Sequence, residues 1–241
     1  MTRDPKSVVI GVGLRDGTTR WETSMALIRV ALSKIEDWRF QLIPGGGCDI
    51  AHARNLMLHH ALTKTDASKI LFIDADEVFG PEHLGQLLSW MKDPAVRYIA
   101  GLYPLKGMEL RWSYGGWAKE SAKKPGLWEV FEVATGFTCI DLGLVEEMIA
   151  LHPEWQYEIE DFAYRGETGH EVFAMGPVEG EWVPGRRYRR RMPEDFMFSL
   201  RAREHGETIY VDPKVQVGHM GMMDMLKLHQ PGAQETTKGH A

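Results

Sequence analysis

The sequence predicts a single α/β domain with a mostly parallel, doubly wound central sheet and helices on both faces. Apolar runs typical of strands alternate with helical patterns at short spacing through the first hundred residues, which is the order that βαβ units produce. The run KILFID at 69–74 places four apolar residues before an aspartate, as expected of a parallel strand that is buried on both faces. At 241 residues, 44% of them hydrophobic, the chain can bury one sizeable core.

The elements of the first half follow from periodicity and from capping residues. In a helix over 21–35, Met25, Ile28, Leu32 and Ile35 fall roughly on one face. The sequence PGGG at 44–47 indicates a turn, and Asp49 has the chemistry of an N-cap for the helix that follows. We therefore predict, in order, strand 7–14, helix 21–35, strand 39–43, helix 50–62, strand 69–74, helix 81–91 and strand 97–102.

The second half of the chain has a more irregular composition. Residues 103–135 are rich in Gly, Trp and Lys and predict loops with strands near 110–114 and 127–133. Five Gly and Pro residues within 175–192 argue against a regular element there. We also predict helix 142–151, helix 193–205, short strands within 208–217 and a disordered polar tail at 227–241, so that the domain spans 1–226.

Charge and cysteine content limit the class of protein. The net charge of -6 gives no whole-surface attraction to nucleic acid or to anionic lipid, although a local basic patch is compatible with it. Two cysteines without a CxxC pair fit a reduced protein. The charged N-terminus lacks the apolar stretch of a signal peptide, and no run approaches the roughly 18 apolar residues of a membrane span. We therefore expect a cytoplasmic protein.

The triplet Asp74-Ala75-Asp76 is the first candidate site. It stands at the carboxyl end of the most apolar predicted strand, where ligands bind in doubly wound sheets. Two carboxylates two residues apart can converge on one hard cation, and oxygen ligands of this kind suit Mg²⁺ or Mn²⁺. Acidic residues that only end a strand and begin a turn are the structural alternative.

Glycines after the first strand mark a second region that a ligand can approach. Gly11 and Gly13 lack side chains, so a nucleobase could come close to the backbone there. The sequence GVG is not a GxGxxG fingerprint, and the chain has no GxxxxGK[ST] loop. We therefore expect neither a Rossmann dinucleotide site nor a P-loop.

The run RRYRRR at 186–191 is the most unusual local feature. Its five arginines, with Arg187 and Arg190 as candidate substrate contacts, suit either a lid over a diphosphate or a grip on a polyanion such as nucleic acid. A solvated run that only offsets the acidic body is the alternative. Trp117, one of several tryptophans in the irregular segments, is a candidate for stacking on a sugar or a base, although tryptophan is also a common core residue.

Two stretches resemble glycosyltransferases of the GT-A fold, of the family 2 type. In ARNLMLHHALTKTDASKILFIDADEVFGPEHLGQLL, a helix bearing Arg54 precedes an apolar strand that ends in Asp-x-Asp. In PEDFMFSLRAREHGETIYVDPKVQVGHMG, a helix with an acidic pair is followed by a strand and a Gly-His. The two matches stand in the order and at the spacing of that family, which implies a GT-A-like domain.

The resemblance implies roles for the donor-side residues. Asp74 and Asp76 would contact the ribose and the metal, with Asp76 the firmer ligand, and His219 would complete the metal shell. The ion, Mn²⁺ or Mg²⁺, would bridge the diphosphate of a nucleoside-diphosphate sugar, with a UDP-sugar as the first choice. Arg54 would face the nucleotide, with a solvated helix arginine as the alternative.

The resemblance also implies roles on the acceptor side. Asp195 would be the base that takes the proton of the acceptor hydroxyl, with Glu194 as the alternate. Acids after a proline are equally a good helix start, and the helix dipole would lower the pKa of Asp195 and keep it ionised. A second acidic pair at 160–161 remains open. Gly136 would leave room for the donor sugar.

The sequence therefore predicts a metal-dependent, inverting glycosyltransferase that moves a sugar from a nucleotide donor to a hydroxyl acceptor. A modified DNA base, of the kind that some phage enzymes glycosylate, is one candidate acceptor because of the arginine run. Two other functions stay open: a nucleotidyltransferase on a related sheet, and a non-catalytic nucleotide-sugar-binding module.

Overall fold

A computed structural model describes residues 2–14, 17–46, 49–106, 110–183 and 186–220, without the side chains of 181–183 and 186. The predicted tail at 227–241 lies outside the described residues. The elements occur in the order β1 (Asp4–Leu14), α1 (Trp21–Leu32), β2 (Arg39–Gly46), α2 (Ile50–Lys64), β3 (Ala67–Asp74), β4 (Glu77–Val78), α3 (Pro81–Trp90), β5 (Tyr98–Leu102), β6 (Tyr114–Glu120), β7 (Trp128–Val133), β8 (Phe137–Asp141), α4 (Leu142–Leu151), β9 (Gln156–Glu158), β10 (Thr168–His170), β11 (Gly176–Val183), β12 (Arg186–Met192), α5 (Glu194–Glu204), β13 (Tyr210–Gln216) and β14 (Gly218–His219).

One eight-stranded sheet forms the centre of the molecule, in the order β2-β1-β3-β8-β5-β13-β7-β6. The parallel and antiparallel pairings place six strands in one direction, and only β8 and β7 run in the other. The sheet is thus mostly parallel in strand direction, as predicted, but β8 enters it between two parallel strands and pairs antiparallel with both.

Two apolar layers cover the faces of the sheet. Alternation along β3 sends Ile70 and Phe72 into one layer, and Leu71 and Ile73 into the other. The first layer packs against α2, α4 and α5, and the second against α1 and α3. The α/β prediction with helices on both faces is therefore confirmed.

Helix α1 buries a different face from the one that its sequence pattern indicates. Ile28 is 48% exposed and Leu32 is 83% exposed, whereas the smaller side chains of Thr23, Ala26 and Val30 are buried. Of the predicted stripe, Ile35 is buried, just past the end of the helix. The Thr23 face lies against the loop after β3, since the Thr23 hydroxyl reaches the carbonyls of Ala75 and Glu77. Small residues are needed at such a close approach.

Three other predictions need correction. Strand β2 continues to Gly46 through the predicted turn, and Pro44 is tolerated because β2 is an edge strand. The strand predicted near 110–114 lies at 114–120 instead. Segment 175–192 forms the hairpin β11–β12, in which Glu179 stands opposite Arg189, so that cross-strand charges favour the pairing.

The carboxyl ends of β1 and β3 lie side by side, with Gly13 opposite Asp74 in the register. The short pair β4–β14 places His219 opposite Glu77 and so brings the end of the described chain to the same edge. Asp49 caps α2 as predicted, since its carboxylate accepts from the backbone N–H groups of Ala51 and His52. None of the helices in the described part of the chain has the length and apolarity to cross a lipid bilayer.

Candidate functional site

The loop after β3 carries the Asp-Ala-Asp triplet and is fixed through its backbone. The Arg20 N–H donates to the Ala75 carbonyl at 2.9 Å, and the Met220 N–H donates to the Asp76 carbonyl at 2.8 Å. The hydroxyl of the fully buried Thr23 lies 2.9 Å from the same Ala75 carbonyl. The backbone carbonyls of Ala75 and Asp76 are therefore bound by the start of α1 and by the chain after β14. The side chains of Asp74 and Asp76 lie at the carboxyl edge of the sheet.

Asp76, Glu77 and His219 form a group that suits a metal ion. One ligand atom of each lies within 4.8 Å of the others. The Pro104 carbonyl, 2.9 Å from His219 Nδ1, can only accept, so Nδ1 carries a proton. In the neutral ring the Nε2 lone pair then faces Asp76 Oδ1 across 3.5 Å. Two such acceptors need a proton or a cation between them, and the donor set therefore fits a divalent ion.

Asp76 is held in its ionised form by its neighbours. Burial of the carboxyl would raise its pKa, but hydrogen bonds and charge from His219, when both of its ring nitrogens carry a proton, and from Lys106 lower the pKa to about 2. The Lys106 ammonium pairs with Oδ2 of Asp76, and His219 faces Oδ1. The carboxylate therefore keeps its full negative charge at physiological pH.

Arg54 links the two acidic parts of the site. Its side chain is 4% exposed, and Nη2 lies 3.1 Å from Asp74 Oδ1 while Nη1 pairs with Glu194. A solvated helix arginine is thereby excluded, and the guanidinium is shared between two carboxylates. Asp74 consequently faces Arg54 and lies outside the Asp76, Glu77 and His219 group.

Asp195 has an unusual protonation equilibrium. Burial, and then the charge of Glu194, raise the pKa of Asp195 to about 7, against the opposing charge of Arg54. The expectation that the helix dipole lowers this pKa was wrong, because the loss of hydration at a buried helix start outweighs the dipole. Glu194 is itself 8% exposed and is engaged by Arg54, which leaves Asp195 as the freer of the two acids.

Gly136 stands directly beside Asp74. Its carbonyl accepts from the Asp74 N–H at 2.9 Å, and its own N–H donates to Tyr103 Oη at 3.0 Å. A Cβ at this position would come within 2.6 Å of Tyr103 Oη and 2.9 Å of Asp74 Oδ2. The close approach of β8 to the end of β3 therefore requires a glycine.

A cleft of about 790 Å³ at the carboxyl edge of the sheet collects most of the candidate residues. Its walls include seven that the sequence indicated, namely Gly13, Arg54, Asp74, Asp76, Glu194, Asp195 and His219. The remaining walls include Thr18, Thr19, Arg20 and Lys106, around the start of α1. Side chains of the group suited to a metal ion, an acid with a raised pKa and cationic side chains thus share one space.

Four candidates lie away from this cleft. Gly11 faces the core, where an added Cβ would meet Met57 Sδ at 2.8 Å. Trp117 is half exposed on the edge strand β6. Arg187 is exposed on β12, and Arg190 is paired with the buried Glu132 at 2.9 Å. The acids at 160–161 are also exposed and are not part of the cleft.

Three side chains at or beside the candidate site were not predicted from the sequence: Glu77, Tyr103 and Lys106. Lys106 pairs with Asp76, and Tyr103 contacts Gly136, across long stretches of the chain. For Glu77 the adjacency to Asp76 was a signal that could have been used. Lys106 and Tyr103 lie in a stretch without periodicity, so only the folded chain identifies them.

Comparison with known proteins gives structural matches only. No protein-family model and no curated protein sequence matches the chain. A197 from STIV matches with a TM-score of 0.53 and 16% identity, over 89% of this chain and 85% of that chain. A glycosyltransferase involved in the glycosylation of the major capsid of PBCV-1 is matched with a TM-score of 0.35, 15% identity and coverages of 65% and 71%.

A further solved structure is GalNAc-T7 with UDP, GalNAc and Mn²⁺, at a TM-score of 0.46 and 12% identity, over 90% of this chain and 43% of that chain. At such identities a likeness concerns the fold and not the activity. Of these three, A197 from STIV has a TM-score above 0.5, and the chain shares its fold.

Proposed function

We propose that the chain is a metal-dependent glycosyltransferase that moves a sugar from a nucleoside-diphosphate sugar to a hydroxyl acceptor, with inversion. One observation carries the proposal. A single cleft is lined by Asp76 and His219, which with the buried Glu77 form a group suited to a divalent ion, and by Asp195, a partly buried acid with a pKa of about 7.

The metal-binding side of the cleft supports Mn²⁺ best. Two carboxylates and an imidazole suit Mn²⁺, whereas Mg²⁺ prefers oxygen ligands and water. Ligand atoms on opposite sides of such an ion lie about 4 Å apart. One ligand atom from each of these three side chains lies within 4.8 Å of the other two, so the atoms are close enough to share an ion. The ion would neutralise the charge that develops on the departing diphosphate.

Cationic groups near the start of α1 suit the diphosphate itself. Arg20 and Lys106 line the cleft there, and Lys106 is 48% exposed, so it can change its partner. The N-terminus of α1 adds the positive end of a helix dipole, which favours anions. Asp74, held by Arg54, lines the same cleft and would contact the ribose.

Asp195 would act as the base. The acceptor oxygen forms the new bond to the anomeric carbon, the bond to the diphosphate oxygen breaks, and the leaving group keeps the electron pair. The acceptor proton passes to the Asp195 carboxylate. A base with a pKa near the working pH accepts a proton at little cost, and Glu194 with Arg54 would hold Asp195 in position.

The test is an assay of nucleotide release from a panel of UDP- and GDP-sugars with Mn²⁺, with and without hydroxyl acceptors. We expect one donor to yield nucleoside diphosphate in a metal-dependent way, and the release to be lost in Asp76→Asn. Asp161→Asn, an exposed acid outside the cleft, is the control and should retain full release.

Two results would redirect the assignment. Metal-dependent nucleotide binding without release, with every acceptor tried, would identify a binding module. Pyrophosphate as the product, from a nucleoside triphosphate, would identify a nucleotidyltransferase.

A further inference from the structure

Lys106 and the metal-binding group use the same carboxylate. The Lys106 ammonium pairs with Oδ2 of Asp76, whose other oxygen faces His219 Nε2 at 3.5 Å. Asp76 is the central member of the group that suits a divalent ion. A divalent ion at this carboxylate would stand within a few ångströms of the ammonium, and two cations at that distance repel each other strongly.

The lysine is able to leave. Its side chain is 48% exposed, against 23% for Asp76, and it is a flexible four-carbon chain that ends in a compact charge. The backbone of its segment is fixed independently of the ion pair. The Leu105 N–H donates to the Arg111 carbonyl at 2.6 Å, and the Pro104 carbonyl accepts from His219. Displacement of the ammonium therefore requires a rotamer change and not a loop movement.

Among the described residues that line the cleft, no other acid is equally free to pair with the displaced ammonium. Asp74 and Glu194 share the buried guanidinium of Arg54, and Asp195 is partly buried next to Glu194. Lys106 and Arg20 are the cationic side chains of the open part of the cleft, among the described residues that line it. An anionic ligand entering that space is the natural new partner of Lys106.

We propose that Lys106 is a displaceable internal cation, which pairs with Asp76 until a divalent ion binds there and then contacts the diphosphate of the nucleotide. This inference rests on the proposed function. It implies that the metal binds before the nucleotide, because the metal releases the lysine for the phosphates. It also gives Lys106 opposite effects on the two ligands: it weakens the binding of the metal alone and strengthens the binding of the nucleotide.

The experiment measures two affinities in Lys106→Ala: that of Mn²⁺ alone, by electron paramagnetic resonance, and that of UDP in saturating Mn²⁺, by calorimetry. GDP is titrated in parallel, since the base is not specified. We expect Mn²⁺ to bind roughly two- to fivefold more tightly, as loss of a partly exposed competing ion pair allows. We expect the nucleotide to bind about tenfold more weakly or worse, since a charge-assisted hydrogen bond to phosphate is lost.

Two further variants separate this role from a structural one. Lys106→Arg keeps the charge and should restore most of the nucleotide affinity. Lys119→Ala removes a lysine of the edge strand β6 that pairs with Glu129 of β7, far from the cleft in the order of the sheet. It should change neither affinity.

The outcomes are distinct. Tighter metal binding together with weaker nucleotide binding supports the inference. An unchanged or weaker affinity for Mn²⁺, or an unchanged affinity for both nucleotides, overturns it while leaving the metal site in place. A wild-type chain that binds no Mn²⁺ at all overturns the proposed function, and the inference with it.

Discussion

The protonation of Asp195 decides how the cleft responds to pH. Its carboxyl is partly buried at the start of α5, next to Glu194, and its pKa is raised to about 7. Both protonation states of Asp195 are therefore accessible near neutral pH. An ordinary surface aspartate is almost fully ionised at this pH.

This gives a prediction for the pH profile of the transferase activity. A base must be ionised to work, so kcat/KM should rise with pH through about 7, level off above it, and be lost as the pH falls. Asp195→Asn should lower kcat by about 10²- to 10⁴-fold, the usual contribution of a general base, and should remove the dependence. Initial rates between pH 5 and 9 measure this.

A fall of kcat/KM that begins only near pH 4 would contradict the assignment of the base. So would a pH profile of kcat/KM that is unchanged in Asp195→Asn. The exposed Asp161 serves again as the comparison, since Asp161→Asn should keep the wild-type profile.

For single residues, the sequence predicted which side chains line the cleft better than it predicted their pKa values. Asp76, His219 and Asp195 do line one cleft. The direction of the pKa shift of Asp195 was missed because burial is a tertiary property. Tyr103 and Lys106 were missed for the same reason, since each reaches the cleft through contacts with residues far away in the chain.

Three elements meet at a single side chain. Arg54 in α2 contacts Asp74 at the end of β3 and Glu194 at the start of α5, and it is almost completely buried. Since a buried charge is stable only with its partners, these contacts fix the end of β3 relative to the start of α5 at the cleft.

We predict that Arg54→Met destabilises the protein by about 3–5 kcal/mol, because Asp74 and Glu194 lose their shared cation while Glu194 remains buried. Urea denaturation followed by circular dichroism gives the free energy of unfolding. Arg39→Met is a matched control, since Arg39 also joins two carboxylates, those of Asp4 and Asp66, but does so at the surface. It should change stability little, as exposed ion pairs contribute little.

Equal effects of the two substitutions would show that burial of the Arg54 cluster has no special energetic role.

Elements with a strong local signal were predicted well, and those that depend on tertiary pairing were not. Asp49 caps α2 and Pro81 begins α3, as the sequence indicates. The hairpin β11–β12 was missed because Gly and Pro suggest irregular backbone, whereas its strands are stabilised by pairing and by the contact of Arg190 with Glu132. The apolar stripe predicted for the first helix is buried only in part, since Ile28 and Leu32 are exposed and Ile35 is buried; periodicity does not specify how deeply a face is buried.

The whole molecule places its chemistry at one edge of the sheet. β1 and β3 end there, α1 and α2 begin there, and the β4–β14 pair returns the chain to the same edge. The order of the sequence motifs predicted this architecture. The antiparallel entry of β8 between β3 and β5 was not predictable, because an apolar strand reads the same in either direction.

The most direct test of the central claim is a calorimetric titration of UDP, and then GDP, into the purified protein with and without Mn²⁺, on the wild type and on Asp76→Ala. The account predicts that one nucleotide binds in the presence of Mn²⁺, that removal of the metal abolishes this binding, and that Asp76→Ala abolishes it as well. Binding that is independent of metal and unaffected by Asp76→Ala, or no binding of either nucleotide under any metal condition, would contradict the account.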